Sequence, residues 1–319
     1  MQNKSERILA TVKGNVSLSS FDVASGVQLG SVAVGKLDIS KPHELTLTQD
    51  NSRAFVSLYG DKDYGPNKPD NRLAVVDVQN MKLVGHVDLG LYLGPHALMT
   101  DVDGMIWVTV DASRCVLIIN PDTWVIEQTI HLGAPAHFLA STSDGLTVYF
   151  SAKEVPIVLE VDVRKREVRA QIPLPVGGQA IRVSRDDKRL YVGHLCRPFL
   201  HVIDCDARQI SETVPLRGVP GWPFVSRNDD CVIVTTYDEP AQKGFVELLD
   251  SNDLDQHVVI EVEAEPFHAL PMHDSEHALV ALANGEIIKI HLKRAKIVAG
   301  RFYVGGTMPE MLLHLPAPE

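Results

Sequence analysis

The stretch KPHELTLTQDNSRAFVSLYG, residues 41–60, holds two short β-prone runs on either side of the polar turn TQDN, with His43 at its head. The phrase returns as GPHALMTDVDGMIWVTVD from Gly94, APAHFLASTSDGLTVYFSAK from Ala134 and EPFHALPMHDSEHALVALANG from Glu265. A histidine heads each of these as well: His96, His137 and His268. The repeat decides the architecture, and the recurring ring raises the question of a shared ligand.

Each unit runs in the same order. A Gly or Pro precedes a short apolar strand, and a turn such as TQDN, DVDG, TSDG, SRDD or SRND follows. A second strand comes next (RAFVSLY, MIWVTV, TVYFSA, RLYVGH, CVIVTTY, HALVAL), then a third that ends near Asp or Asn (RLAVVDV, VLIIN, IVLEVDV, FLHVID, FVELLD). A more polar fourth strand closes the unit, as in KLVGHVDL or VIEQTIHL. Val, Ile and Tyr with Gly, Asp and Asn punctuation favour strands and tight turns, and no helical period of useful length interrupts them.

Four strands in a repeat of about forty residues predict a β-propeller blade. Complete units begin near Pro42, Pro95, Pro135, Gly177, Val219 and Pro266. RILATVK, VSLSSFDV and VQLGSVAV at the N-terminus lack a first strand, which GGTMPEMLLHL at the C-terminus supplies. The expected fold is all-β: a seven-bladed propeller of four-stranded antiparallel blades, its ring closed by the C-terminal strand completing the N-terminal blade. Closure removes the unpaired strand edges an open ring would expose. The expected organisation is one domain over 1–319, with blade 1 shared between 5–35 and 306–315. Blades 2 to 7 lie near 42–90, 95–133, 135–175, 177–217, 219–263 and 266–304.

Composition narrows the partners. Hydrophobic residues make up 45% of the 319 and charged residues 22%, enough apolar material for a sizeable core. The formal charge of -11 argues against nucleic acid or an anionic membrane surface, which need clustered Lys and Arg. No apolar signal segment and no run long enough to cross a bilayer is visible. Cys115, Cys196, Cys205 and Cys231 show no CxxC spacing, so reduced thiols and a cytoplasmic location are expected. The oligomeric state is left open. P-loop, GxGxxG, GxSxG and HExxH signatures are missing.

The wording of the units, DNSRAFVSLYG, DDKRLYVGH and NRLAVVDV, resembles the YVTN-type repeats of lactonase-like and surface-layer-like seven-bladed propellers, with RLYVGH of blade 5 closest. The resemblance covers nearly the whole chain and implies architecture. Sugar lactonases and streptogramin lyases in that group incline the expectation toward a lyase or hydrolase. A mainly histidine shell departs from the carboxylate-rich calcium sites of many propeller lactonases.

In a propeller, the first strand of each blade lines the central channel, so equivalent strand heads converge. Read round from the split blade, those heads are Glu310, His43, His96, His137, Gln179, Gly221 or Trp222, and His268. Imidazole nitrogen and carboxylate oxygen suit a divalent transition metal, with zinc, iron and manganese all open. His43, His96, His137, His268 and Glu310 are therefore the expected ligands. His194, at the end of YVGH, joins Glu310, Lys153 and Asp111 as an acid–base candidate. Gln179, Trp222, Tyr59 and Tyr237 are expected to face a small-molecule substrate. Asp63 and Tyr64 in the long insertion YGDKDYGPNKPDN would join a polar rim on the same face.

The expectation is a metal-dependent lyase, isomerase or hydrolase. An Fe(II) oxygenase is the alternative, because the four histidines resemble the iron site of seven-bladed carotenoid-cleaving oxygenases. A non-catalytic binding propeller is the alternative from another class.

Overall fold

The structure, a computed structural model, describes residues 6–62, 65 and 67–316. Its fold class is the expected one: seven four-stranded sheets arranged as propeller blades, with no α-helix among the described residues. The blade that joins the two ends has its strands in the order Pro309–Leu315, Arg7–Val12, Ser17–Asp22 and Gln28–Ala33. Its C-terminal strand runs antiparallel to the N-terminal one, with Arg7 opposite Leu315 and Ile8 opposite His314. A backbone ladder thus ties together segments about as far apart in sequence as the chain allows.

The first-to-second-strand turns explain the punctuation seen in the sequence. Asn51, Asp187, Asp229 and Ser275 sit at φ of 57°, 61°, 59° and 59°, where Gly104 and Gly145 also stand in their blades. Such positive φ favours Gly, Asn and Asp over branched residues. The hydroxyls of Thr48, Thr142 and Ser184 each donate to the Asp two residues on, at 2.6 Å, which fixes the same turn in blades 2, 4 and 5.

The chain divides into two compact units. One comprises residues through His131 with Ala283–Ile288 and Ala299 onward; the other comprises Leu132–Leu282 with Lys289–Val298. The first unit holds blades 1 to 3. Its cores lie between successive sheets: Leu9, Leu18, Ala54, Val56, Ala74 and Val76 in one cluster, Phe55, Leu73, Val75, Val108, Leu117 and Ile119 in the next. The second unit holds blades 4 to 6 and the first two strands of blade 7, with Tyr191, Leu200, Val202, Val232, Val234 and Leu249 forming one of its cores. Fourth strands alternate exposed and half-buried residues, as in Gln28–Ala33 and Glu167–Pro173. First and second strands are buried nearly throughout, which is why their sequences are continuously apolar.

Candidate metal centre

The strand heads carry a shared irregularity that positions the site. In every blade the pairing of first and second strands breaks so that two residues of the first face one of the second: a β-bulge. The paired residues are Glu310–Met311, His43–Glu44, His96–Ala97, His137–Phe138, Gln179–Ala180, Gly221–Trp222 and Phe267–His268. Opposite them stand Thr11, Ser57, Thr109, Ser151, Gly193, Thr235 and Ala281. A bulge re-aims side chains, so two successive residues can share one side of a strand where regular pleating would separate them.

Hydroxyls hold this bulge in blades 1, 2, 3 and 6. Ser57 Oγ accepts the Glu44 N–H at 3.0 Å and donates to the Glu44 carbonyl at 3.3 Å. Thr109 Oγ1 accepts the Ala97 N–H at 2.9 Å, and Thr235 Oγ1 the Trp222 N–H at 3.0 Å. In blade 1, Thr11 Oγ1 accepts the Met311 N–H at 3.1 Å and donates to the His43 carbonyl at 2.8 Å.

Register sorts the candidate residues. Glu310, His43, His96, His137 and Gln179 all occupy the first bulge position. His268 does not: Pro266 pairs with Leu282, so Phe267 takes the first position and His268 the second. The same count gives Gly221 the first position in blade 6 and Trp222 the second, settling the choice left open by the sequence.

In the first unit the structure brings His43 and His96 together. Their ring centroids are 4.1 Å apart, and both rings are buried, at 3% and 0% exposure. Tyr59 meets both edge-on, with centroids at 5.2 and 5.1 Å, and its hydroxyl donates to Asp111 Oδ2 at 3.2 Å. Glu44 Oε1 lies 3.6 Å from His96 Nδ1. One donor atom from each of His43, Glu44 and His96 can be chosen so that all lie within 4.8 Å of one another. Glu310 Oε1 is 3.6 Å from His43 Nε2, and its Oε2 is 2.8 Å from Lys13 Nζ.

The 3.6 Å between Glu44 Oε1 and His96 Nδ1 is close to the separation of two ligand atoms on one metal. Bonds of about 2.1 Å in a tetrahedron put neighbouring ligand atoms about 3.4 Å apart. The donor set, two imidazoles and a carboxylate, suits zinc, iron or manganese.

Sequence reading missed Glu44 and Lys13. Glu44 follows His43 directly, and only the bulge lets both side chains serve one site. Lys13 had a signal in the repeat: it directly follows the strand Arg7–Val12 at the register of Tyr59, Asp111, Lys153 and Tyr237, one residue beyond the partner of the first-strand Pro or Ala.

The second unit carries the remaining candidates on a more aromatic surface. His137 packs edge-on against Phe138 at 4.7 Å, and Phe138 against Trp222 at 4.6 Å. His268 contacts Trp222 at 5.3 Å and Phe224 at 4.4 Å. Lys153 Nζ lies over the Phe138 ring at 5.8 Å. Gln179 is half-buried at its bulge, and Tyr237 half-buried at the end of its strand. His194 occupies a register that in other blades holds Val12, Leu58 and Val110, all buried. It packs beside Phe199 and His201, with its Nδ1 accepting the Cys196 N–H at 3.2 Å. Burial, with Arg197 nearby, lowers its pKa below the ordinary imidazole value. Asp63 and Tyr64 lie outside the described residues.

Comparison with known proteins places the fold. No protein-family model matches the chain, and no curated protein matches it. The YVTN-type resemblance therefore stands on its repeat wording alone. Among solved structures, hydrazine synthase from Kuenenia stuttgartiensis is similar with a TM-score of 0.70 at 15% identity, over 86% of this chain and 89% of that one. The dihydro-heme d1 dehydrogenase NirN in complex with DHE is similar with a TM-score of 0.67 at 11% identity, over 98% of this chain and 76% of that one. At these identities the likeness is one of fold.

Proposed function

We propose that this chain is a metal-dependent enzyme acting on a small molecule, with a divalent transition ion held by His43, His96 and Glu44. The observation that carries the reading is the buried convergence of those three donors within 4.8 Å in the first unit. Both fold neighbours bear enzyme names, which supports a catalytic use of the architecture and transfers no reaction.

A bound ion would polarise a carbonyl or activate water. The chain's own groups handle the rest. Tyr59 meets both imidazoles edge-on and limits how far they can turn. Its hydroxyl and the Asp111 carboxylate form a donor–acceptor pair at one strand-end register, suited to moving a proton to or from a substrate. This fits a lyase, isomerase or hydrolase. In the second unit, considered by itself, Lys153 and His194 are the acid–base candidates. Within the second unit taken by itself, the Trp222 ring and the polar groups of Gln179 and Tyr237 are candidates for contact with a small molecule.

One observation favours a second reading. Two histidines and one carboxylate also form the ligand set of non-haem Fe(II) oxygenases. Elemental analysis of the purified protein, beside a His43→Ala/His96→Ala variant, separates the readings. Stoichiometric zinc or manganese in wild type, lost in the variant, supports the lyase, isomerase or hydrolase. Iron supports the oxygenase. No metal in wild type, or equal metal in both, overturns the enzyme reading and leaves a binding propeller.

A further inference from the structure

The polar chain of the first unit extends past the proposed ligands. Lys13, Glu310 and His43 are 2%, 6% and 3% exposed. Lys13 Nζ meets Glu310 Oε2 at 2.8 Å, and Glu310 Oε1 faces His43 Nε2 at 3.6 Å. Resting on the metal reading above, we propose that Glu310 is an outer carboxylate that orients the His43 ring, and that Lys13 is the positioning residue that holds Glu310 there.

Three features support the assignment. The first is mechanical. Thr11 bonds both the Met311 N–H, beside Glu310, and the His43 carbonyl. One hydroxyl therefore fixes the backbone that presents the carboxylate against the backbone that presents the ring.

The second is the chemistry of imidazole. A neutral ring has one N–H and one lone pair; Glu310 Oε1 stands 3.6 Å from Nε2, just outside hydrogen-bond range, so a small approach on ion binding would make it the acceptor for an Nε2–H and leave the Nδ1 lone pair for the ion. Carboxylate–histidine pairs behind a metal work in this way.

The third is charge. Drawing Glu310 onto a dication would carry the Lys13 ammonium toward that ion, and like charges repel strongly where water is scarce. Glu44 is thus the ligand and Glu310 its outer counterpart. The two carboxylates look alike in composition and differ in what stands behind them.

The test is cobalt(II) titration of the metal-depleted protein, followed by the visible absorption of the bound ion, with thermal unfolding measured in parallel. Wild type, Glu310→Gln, Lys13→Met, Lys13→Arg and the double variant Lys13→Met/Glu310→Gln are compared. Glu310→Gln and Lys13→Met are expected to bind one equivalent about 10–100-fold more weakly than wild type, with band positions kept. Lys13→Arg should restore most of the affinity. The double variant should bind no more weakly than Glu310→Gln alone, because the two residues act in series. It also carries the test should Lys13→Met leave a buried carboxylate that prevents folding, since it removes both charges.

Glu310→Gln within about two-fold of wild type, against the loss expected of an orienting partner, would make the ion pair purely structural and overturn the proposal. A shifted cobalt spectrum in Glu310→Gln would make it a ligand and overturn it equally. Wild type that binds no cobalt would instead remove the metal reading itself, which is a different result.

Discussion

Replacing Ser57 by Ala tests how the fold positions the candidate centre. The side chain is fully buried and makes two hydrogen bonds to Glu44, accepting its N–H at 3.0 Å and donating to its carbonyl at 3.3 Å. Removing one oxygen atom leaves little void, so the cost comes from polar groups stripped of a partner. A buried group so orphaned costs about 1–3 kcal/mol, and the N–H suffers most because the bulge denies it a ladder partner. A loss of about 2–3 kcal/mol is expected, and at about 2 °C per kcal/mol for a domain of this size the midpoint falls by about 5 °C. Far-UV circular dichroism during heating, with urea unfolding for the free energy, measures it. Ser57→Thr is the informative partner, because Thr11, Thr109 and Thr235 do the same work in blades 1, 3 and 6. It should stay near wild type and keep the cobalt affinity that Ser57→Ala weakens. If Ser57→Ala costs less than about 0.5 kcal/mol, or Ser57→Thr loses as much as Ser57→Ala, the hydroxyl does not clamp the bulge as a buried hydrogen bond should.

Two further outcomes come from the same reasoning. Ala281 faces the Phe267–His268 bulge where every other blade except blade 5, with Gly193, carries Ser or Thr; Ala281→Ser should stabilise the chain by about 0.5–1 kcal/mol in urea unfolding, and no gain would count against the clamp. Glu247 is fully buried, accepts the Arg217 N–H at 2.8 Å and the Thr236 hydroxyl at 2.7 Å, and burial raises its carboxyl pKa. A carboxylate raised in the folded state costs stability as pH climbs from its unfolded value through the folded one. The stability of Glu247→Gln minus that of wild type should therefore grow across that interval, and a flat or falling difference would contradict the assignment.

How far the sequence could be read depended on spacing. Strand composition and the recurrent Thr/Ser–x–Asp turns are local, so the blades and the shared closing blade were legible. The bulge is not local: it shows only when two strands are paired. That is why EPFHALP looked equivalent to KPHELTL although Phe267, not His268, stands where His43 does. It is also why Glu44 was passed over, since alternation along a regular strand sends consecutive residues to opposite faces. Lys13 was hidden in the incomplete N-terminal unit, where no strand head drew attention to it. His137 and His268 belong to the second unit and stand outside the proposed ligand set.

Anomalous diffraction from crystals of the purified protein, with data at the absorption edge of the element found, addresses the metal most directly. One strong peak about 2.0–2.2 Å from His43, His96 and Glu44, with Glu310 beyond bonding distance and still held by Lys13, is the predicted result. Crystals of the folded protein with no peak there, or with an ion ligated by other residues, would contradict it.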